Sequence, residues 1–218
     1  GVCELAVNTS MIGILGGTFD PVHIGHLRVA LELYQDLLLD EIRFVPCGQP
    51  PHRDTPQATA IQRVAMLEMA IKGQQGFVLD QRELGREGPS YMVETLRSFR
   101  EECVDSPLCL IIGMDAFKEL HTWWHWQELI RLAHIVVMHR PGYEPELEGD
   151  VADLLGQCCV DDAQALRKSP AGYLLFWPVT QLDIAASQIR ALVAAEKSPR
   201  YLLNEDVWAY INKESLYR

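Results

Sequence analysis

Short runs of apolar residues alternate along this chain with segments whose apolar residues recur at helical spacing. Six such runs predict buried strands, at Met11–Gly16, Glu41–Pro46, Phe77–Leu79, Leu108–Ile112, His134–Met138 and Tyr173–Trp177. Helical spacing occupies segments between them, among them Leu27–Leu39, Ile61–Ile71 and Tyr91–Glu102. Strands and helices that alternate in this way build a parallel sheet covered by helices on both faces. We therefore predict the α/β class with a doubly wound parallel sheet.

The end of the chain is predicted to be mostly helical. Helical patterning covers residues 187–218 and includes a last amphipathic segment around Asp206–Lys213. We predict a single domain over residues 11–218, of which 187–218 form a small C-terminal helical part. Residues 1–10 lack the basic start and long apolar core of a secretory signal. We interpret them as an N-terminal extension or a cloning remnant.

Composition and charge narrow the functional classes. The chain has 218 residues, 48% of them hydrophobic, and a formal net charge of −11. This acidic balance argues against broad binding to nucleic acid, which needs a basic face. No apolar run reaches membrane-spanning length, and the six cysteines form neither a disulfide framework nor a C-x-x-C pair. We predict a cytoplasmic protein that binds neither nucleic acid nor membranes; whether it is a homo-oligomer stays open.

The turn after the first predicted strand carries the most informative residues. The segment Gly16–His26 (GGTFDPVHIGH) joins that strand to a helix and delivers His23 and His26, three residues apart, to the helix start. Backbone N–H groups are unpaired there, and glycines let a phosphate approach them closely. Two histidines in this spacing could also be metal ligands or ordinary helix-start residues. Because no Walker motif or strand-linked G-x-G-x-x-G occurs, we favour a histidine-based phosphate site.

Two segments resemble motifs of one superfamily. Gly17–His26 resembles the G-x-F-D-P-x-H-x-G-H signature of the nucleotidyltransferases, and Ile184–Arg190 (IAASQIR) is similar to their I-S-S-T-x-I-R motif. In the second motif Ala185 and Ala186 stand where serines are typical, and Ser187 stands for the threonine. An ordinary capped helix is the alternative interpretation of this segment, since Ser is a good N-cap residue. Together the two motifs are far more specific than either alone.

From Met11 to Arg218 the sequence resembles the bacterial nicotinate-nucleotide adenylyltransferases. Besides the two motifs, the matching pieces are Pro50–Arg53, Ser90–Leu96, Ile111–Asp115, Thr122–Trp123 and the ending Tyr210–Arg218. The resemblance implies the Rossmann-like nucleotidyltransferase fold. It also implies transfer of the adenylyl group of ATP to nicotinate mononucleotide, giving deamido-NAD and pyrophosphate by in-line phosphate attack without a covalent enzyme intermediate. Mg²⁺ on the ATP phosphates is the implied cofactor, with no metal ligand from protein side chains.

The same resemblance assigns the nucleotide side of the site. His23, His26 and Arg190 are implied to be catalytic, His23 and His26 at the transferring phosphate and Arg190 at the outgoing phosphates. The implied ATP-binding residues are Gly17, Thr18, Phe19, His23, His26, Gly113, Asp115, Ile184, Ser187 and Arg190. Asp115 suits a ribose hydroxyl, but it could equally cap the helix that follows it. For Asp20 we favour a structural role in the turn over contact with phosphate.

The acceptor side of the site rests on three further pieces. The implied nicotinate mononucleotide-binding residues are His52, Arg53, Tyr91, Met92 and Trp123. His52 and Arg53 are expected near the mononucleotide phosphate, although exposed loop residues are the plain alternative. Trp123 is expected to stack on the pyridine ring, while Trp126 is the predicted core residue. The substrate carboxylate is expected at the N–H groups of Tyr91 and Met92, at the start of a helix capped by Ser90.

Two other functions compete with this one. A different adenylyl- or cytidylyltransferase, such as the pantetheine-phosphate enzyme, would share the first motif but usually has threonine where His23 stands. A catalytically silent nucleotide-binding protein could use the same fold, because fold does not settle function. The Ala185 and Ala186 departures leave that second alternative open, while the intact residues His23, His26, Ser187 and Arg190 argue against it.

Overall fold

A computed structural model describes residues 9–51 and 53–218 and shows one sheet in which every paired strand is parallel. The seven strands are β1 Ile12–Gly17, β2 Glu41–Pro46, β3 Phe77–Leu79, β4 Leu108–Gly113, β5 His134–His139, β6 Cys159–Val160 and β7 Leu174–Pro178. Their order across the sheet is β3-β2-β1-β4-β5-β7-β6. The order reverses between β1 and β4, which is where ligands bind in doubly wound sheets.

Helices cover both faces of this sheet. The α-helices are α1 Ile24–Asp36, α2 Ala60–Ile71, α3 Met92–Glu102, α4 Met114–Lys118, α5 Trp126–Leu132, α6 Gly149–Leu155, α7 Ala186–Ala194 and α8 Glu205–Lys213. Short 3₁₀ helices lie at Leu120–Thr122, Gly156–Cys158 and Ala163–Lys168. Near the C-terminus, α8 packs against α2. Within the described ranges, no helix combines the length and apolar character needed to cross a membrane.

The central strands β1, β4 and β5 are mostly apolar because both of their faces are buried. Successive side chains of β4 and β5 enter two separate cores: Ile111 and Val136 belong to one, and Leu110 and Val137 to the other. Alternation of this kind follows from the two-residue period of a strand. Continuous apolar runs are accordingly typical of buried parallel strands.

The predicted fold class is confirmed, as are all six predicted strands within one residue at each end. The short edge strand β6 was missed, because two residues leave no periodic pattern. Helix α1 begins and ends three residues earlier than the Leu27–Leu39 pattern predicts, because Leu37 and Leu39 are buried in the turn after the helix. The single-domain assignment of residues 11–218 stays a prediction, and residues 1–8 of the predicted extension lie outside the described residues.

Candidate active site

The candidate site lies at the carboxyl ends of β1, β2 and β4, where the strand order reverses. The segment after β1 turns sharply and enters α1, with His23 as the N-cap residue. Gly25 lies in the first turn of this helix, and a Cβ there would come 2.8 Å from His23 Cε1. Only glycine therefore leaves room for the His23 imidazole in its observed position.

His23 and His26 form a stacked pair at the start of α1. Their ring centroids are 3.7 Å apart with an interplanar angle of 25°. His26 Nδ1 accepts a hydrogen bond of 3.1 Å from the His23 backbone N–H. Because Nδ1 is an acceptor, the neutral His26 ring carries its hydrogen on Nε2. The edge of this helix start therefore presents a ring N–H donor of defined tautomer.

Both histidines are held in the neutral form. Burial lowers the pKa of His23 to about 4. Burial, and then the neighbouring His23, lower the pKa of His26 to about 3. His23 Nδ1 is buried and has no hydrogen-bond partner among the described residues. The pair thus keeps hydrogen-bonding capacity for a ligand, and bound phosphate would raise both pKa values by favouring the charged form.

Asp20 connects the turn to two other parts of the chain. Its carboxylate accepts hydrogen bonds from the backbone N–H groups of Gln57, at 2.8 Å, and Ala58, at 3.1 Å. It also accepts one of 2.7 Å from the Tyr217 hydroxyl. All of these partners are protein groups, which agrees with the structural role favoured for Asp20. The contact with Tyr217 spans 197 residues of sequence and has no local signal.

The second motif meets the first through Arg190. Its Nη1 donates a 2.9 Å hydrogen bond to the Asp20 carbonyl, and its buried Nε has no partner among the described residues. Ser187 is exposed in the first turn of α7, whose N-cap is Ala185. A Ser187 N-cap, the alternative interpretation of this segment, is therefore wrong. Ile184 is half-buried beside Gly25.

An arginine that the sequence analysis missed supports the same turn. Arg63 of α2 is only 2% exposed, and its Nη1 donates 2.8 Å hydrogen bonds to the carbonyls of Thr18 and Cys47. Its Nη2 lies 3.4 Å from the Gly48 carbonyl. The available signal was an arginine on the same helix face as apolar Met66 and Leu67, which is unusual for a charged residue.

Other predicted nucleotide residues lie around this turn. Phe19 is buried and packs edge-on against His26, with ring centroids 5.0 Å apart. Gly17 adjoins the Phe19 ring, so a Cβ there would lie 3.2 Å from it. Gly113 ends β4 and is the N-cap of α4, with Asp115 exposed in the first helical turn. The alternative role of Asp115 as N-cap is therefore wrong.

The acceptor side differs from prediction at its helix start. The N-cap of α3 is Tyr91, so the expected Ser90 cap is wrong. Ser90 Oγ instead accepts a 3.3 Å hydrogen bond from the Gly48 N–H, because the loop after β2 lies against it. Met92 is the first residue of α3, and its Cε would lie 3.0 Å from a Cβ at Gly16. Arg53 is exposed, and the expectation for His52 lies outside the described residues.

Three tryptophans near this helix occupy different environments. Trp126 is 8% exposed and belongs to the core, which confirms its prediction. Trp123 is half-buried and packs against the same core. Trp124 is 45% exposed, and its ring centroid lies 5.0 Å from that of Tyr91. Trp124 was missed, and it contacts Tyr91 directly; stacking of Trp123 on a pyridine ring stays a prediction.

A buried carboxyl group lies next to the loop that follows β2, residues 47–58, which we call the acceptor loop. Glu83 accepts a 3.0 Å hydrogen bond from the Thr95 hydroxyl. Burial raises the pKa of Glu83 to about 7, although Thr95, Arg86 and Ser90 partly oppose this shift. The described residues bring together no group of three or more His, Cys, Asp or Glu side chains suited to a metal ion. The described part of the site thus combines neutral histidines, the buried Arg63 and the half-buried Arg190 rather than a carboxylate cluster.

Comparison of the sequence with known proteins identifies related chains. Residues 14–192 match the cytidylyltransferase-like family model. The chain is 51% identical over 208 residues to the probable nicotinate-nucleotide adenylyltransferase of Methylococcus capsulatus, covering 95% of this chain and 99% of that protein. It is 48% identical to the probable nicotinate-nucleotide adenylyltransferase of Pseudomonas fluorescens, covering 95% and 97%.

A solved structure shows the same fold at lower identity. The nicotinic acid mononucleotide adenylyltransferase of Plasmodium falciparum, complexed with NaAD, superposes with a TM-score of 0.71 at 19% identity. The superposition covers 95% of this chain and 97% of that one. Sequence identity and coverage, together with the fold, are conclusive for membership. The chain belongs to the family of nicotinate-nucleotide adenylyltransferases, nucleotidyltransferase enzymes of NAD biosynthesis.

Proposed function

We propose that this protein transfers the adenylyl group of ATP to nicotinate mononucleotide, giving deamido-NAD and pyrophosphate. The observation that carries the proposal is the stacked pair of buried His23 and half-buried His26, with Arg190 joined to the same turn. These groups lie at the reversal point of the sheet, where the fold provides helix N-termini for phosphate. The curated relatives named above support the choice of substrates.

The histidines would act on the phosphate that is transferred. His26 Nε2–H would donate a hydrogen bond to an α-phosphate oxygen, since His26 Nδ1 is already occupied by the His23 N–H. His23 would bind the same phosphate group and donate as charge develops on it. Preorganised donors in a site with little water are worth more than the same donors in water. Because the pKa values of both rings are lowered, the two histidines would be neutral imidazoles when they donate these hydrogen bonds.

The remaining phosphates would bind near the second motif. Arg190 would hold the β- and γ-phosphates with the part of its guanidinium that Asp20 does not use. Ser187 and the first N–H groups of α7 would add donors, because Ala185 provides no side-chain cap. Gly17, Thr18, Phe19, Gly113, Asp115 and Ile184 would line the nucleoside side. Mg²⁺ would enter on the phosphate oxygens of ATP, which are the hard ligands it prefers.

The chemical step requires no nucleophile from the protein. The phosphate of nicotinate mononucleotide would attack the α-phosphorus of ATP in line, and pyrophosphate would leave without a covalent enzyme intermediate. Alignment and electrostatic stabilisation then supply the catalysis. The acceptor would lie between Arg53, the α3 start at Tyr91 and Met92, and Trp123. We propose that the reaction takes place in the cytoplasm.

Pyrophosphate release with separate acceptors tests this proposal. The enzyme would be offered ATP and Mg²⁺ with nicotinate mononucleotide, nicotinamide mononucleotide or phosphopantetheine. We expect fast release with the nicotinate acceptor, loss of release in His26→Ala, and no change in His121→Ala, which alters an exposed histidine. Comparable turnover of both pyridine mononucleotides would overturn the nicotinate preference. Binding of ATP without release from any acceptor would favour a silent nucleotide-binding protein.

A further inference from the structure

Arg63 is a buried cation, and every hydrogen bond that it makes within residues 9–51 and 53–218 goes to a backbone carbonyl. It is 2% exposed, and among the described residues no carboxylate forms an ion pair with it. Its Nε is also buried, with no hydrogen-bond partner in the part of the chain that the structure describes. Buried charges are normally paired, because removing a charge from water is costly. An apolar side chain at this position of α2 would avoid that cost, so packing alone does not account for an arginine here.

The carbonyls that Arg63 binds belong to two different loops. Thr18 lies in the turn after β1, within the segment Gly16–His26, which we call the phosphate turn. Cys47 and Gly48 begin the acceptor loop after β2. The Cys47 N–H also donates a 2.9 Å hydrogen bond to the Gly17 carbonyl. One guanidinium group therefore joins the ATP side of the proposed site to the start of the loop that carries Arg53.

The far end of the same loop is fixed to the same turn. The Asp20 carboxylate accepts the N–H groups of Gln57 and Ala58, just before α2 begins. The loop between residues 47 and 58 is thus held at both ends against the phosphate turn. Between these ends, Pro51 and residues 53–55 are exposed. The position of the acceptor loop therefore depends on its two anchored ends.

We propose, on the basis of the proposed function, that Arg63 is a positioning residue that aligns the acceptor phosphate with the α-phosphorus of ATP. Arg63 would not touch either substrate. It would act through the carbonyls of Thr18 and Cys47, whose loops carry the donor and acceptor groups. A displacement of about 1 Å between reacting groups can reduce a rate about 100-fold. Loss of Arg63 should therefore lower kcat much more than the affinity for ATP.

Arg100 provides a matched control. Among the described residues its guanidinium also donates only to backbone carbonyls, but these carbonyls lie at the amino ends of the strands, opposite the candidate site. They belong to Cys103, Val104, Ser106, Leu132 and Pro170. Arg→Lys at either position replaces a planar guanidinium, which donates to several carbonyls at once, by a single ammonium group that cannot reproduce these hydrogen bonds. Both variants should lose thermal stability, and only Arg63 should change the chemical step.

The experiment compares Arg63→Lys with Arg100→Lys by thermal unfolding and by kcat and KM for each substrate. We expect a lowered Tm in both, a fall in kcat of about 10- to 100-fold in Arg63→Lys alone, and KM for ATP within about threefold of wild type. Equal kcat in the two variants would overturn the proposal. So would a loss in Arg63→Lys that lies entirely in KM for ATP.

A second variant covers the case in which Arg63→Lys does not fold. Replacing the exposed Pro51 by glycine loosens the acceptor loop without removing a buried side chain, and the same fall in kcat is expected. An unchanged kcat in that variant would also overturn the proposal. Failure of the proposed function is separate, because it would appear first as wild-type enzyme that releases no pyrophosphate with nicotinate mononucleotide. The Arg63 comparison would then be made with whichever acceptor the wild type uses.

Discussion

His134 and His23 are buried histidines at opposite ends of the strands, and their ring nitrogens are hydrogen-bonded to different degrees. His134 is the first residue of β5, at the amino end of the strands. It is 0% exposed, and its Nε2 lies 2.8 Å from the carbonyls of both Leu166 and Ser169. Its Nδ1 accepts a 3.1 Å hydrogen bond from the Tyr173 N–H. Both ring nitrogens of His134 thus have protein partners, as expected of a structural residue.

At the carboxyl ends of the strands, by contrast, several buried polar atoms lack hydrogen-bond partners in the described residues. Buried side-chain atoms without hydrogen-bond partners in the described residues are His23 Nδ1, Arg63 Nε, Arg190 Nε and Asn204 Oδ1. The first three belong to residues in or bound to the phosphate turn. Native proteins leave few buried polar groups unpaired, and those few call for an explanation. The protein thus satisfies both ring nitrogens of His134, whereas His23 and Arg190 each keep an unpaired nitrogen in the described residues, which agrees with the phosphate site proposed above.

The largest expected effect is on kcat, and it distinguishes His26 at the carboxyl end of the strands from His134 at the amino end. His26→Ala should reduce kcat by about 10²- to 10³-fold, because it removes one preorganised donor to the transferring phosphate. His134→Gln should leave kcat close to wild type and reduce the free energy of unfolding by about 1–3 kcal/mol, because buried partners lose their hydrogen bonds. Steady-state kinetics and urea unfolding measure the two effects. A large fall in kcat in His134→Gln would remove the distinction.

Glu83 gives a pH test behind the acceptor loop. Burial raises its pKa from 4.5 to about 7 in the folded protein. The folded state therefore binds more protons than the unfolded state between these values, and the contribution to stability is present below pH 4.5 and lost as pH rises through 7. Glu83→Gln should flatten this dependence, with a difference of up to about 3 kcal/mol above pH 7.

Urea unfolding of wild type and Glu83→Gln at pH 4.5 to 7.5 measures this difference. The matched control is Glu41→Gln, since Glu41 is a partly exposed carboxylate paired with Arg43 in β2. Parallel stability curves for wild type and Glu83→Gln would show that Glu83 ionises normally.

The smallest expected effect concerns the phosphate grip of Arg190. Arg190→Lys should raise KM for ATP by about tenfold, because lysine cannot bind the Asp20 carbonyl and phosphate oxygens with one planar group. The matched control is Arg28→Lys, which alters an exposed arginine paired with Glu32 on the outer surface of α1. Initial rates over a range of ATP concentrations measure both. An unchanged KM in Arg190→Lys would place the outgoing phosphates elsewhere.

Sequence patterns predicted the sheet better than the contacts within the site. The strands were predictable because burial on both faces leaves continuous apolar runs, and the histidine pair because residues three apart meet at a helix start. Contacts between distant segments leave no such pattern: Arg63 meets Thr18 across 45 residues, and Tyr217 meets Asp20 across 197. The cap of α3 was mispredicted for the same reason, since Ser90 accepts from Gly48 rather than from its own helix.

Nitrogen-detected NMR of the histidine side chains tests most directly the contrast between His23 and His26, at the proposed phosphate site, and the structural His134. At pH 7 without ligand, His26 should be neutral with hydrogen on Nε2, and it should titrate only near pH 3. Added pyrophosphate should shift the His23 and His26 resonances and raise their pKa values, while His134 stays unchanged. A His26 that titrates near pH 6.5 and ignores pyrophosphate, or a His134 that responds as strongly, would contradict the account.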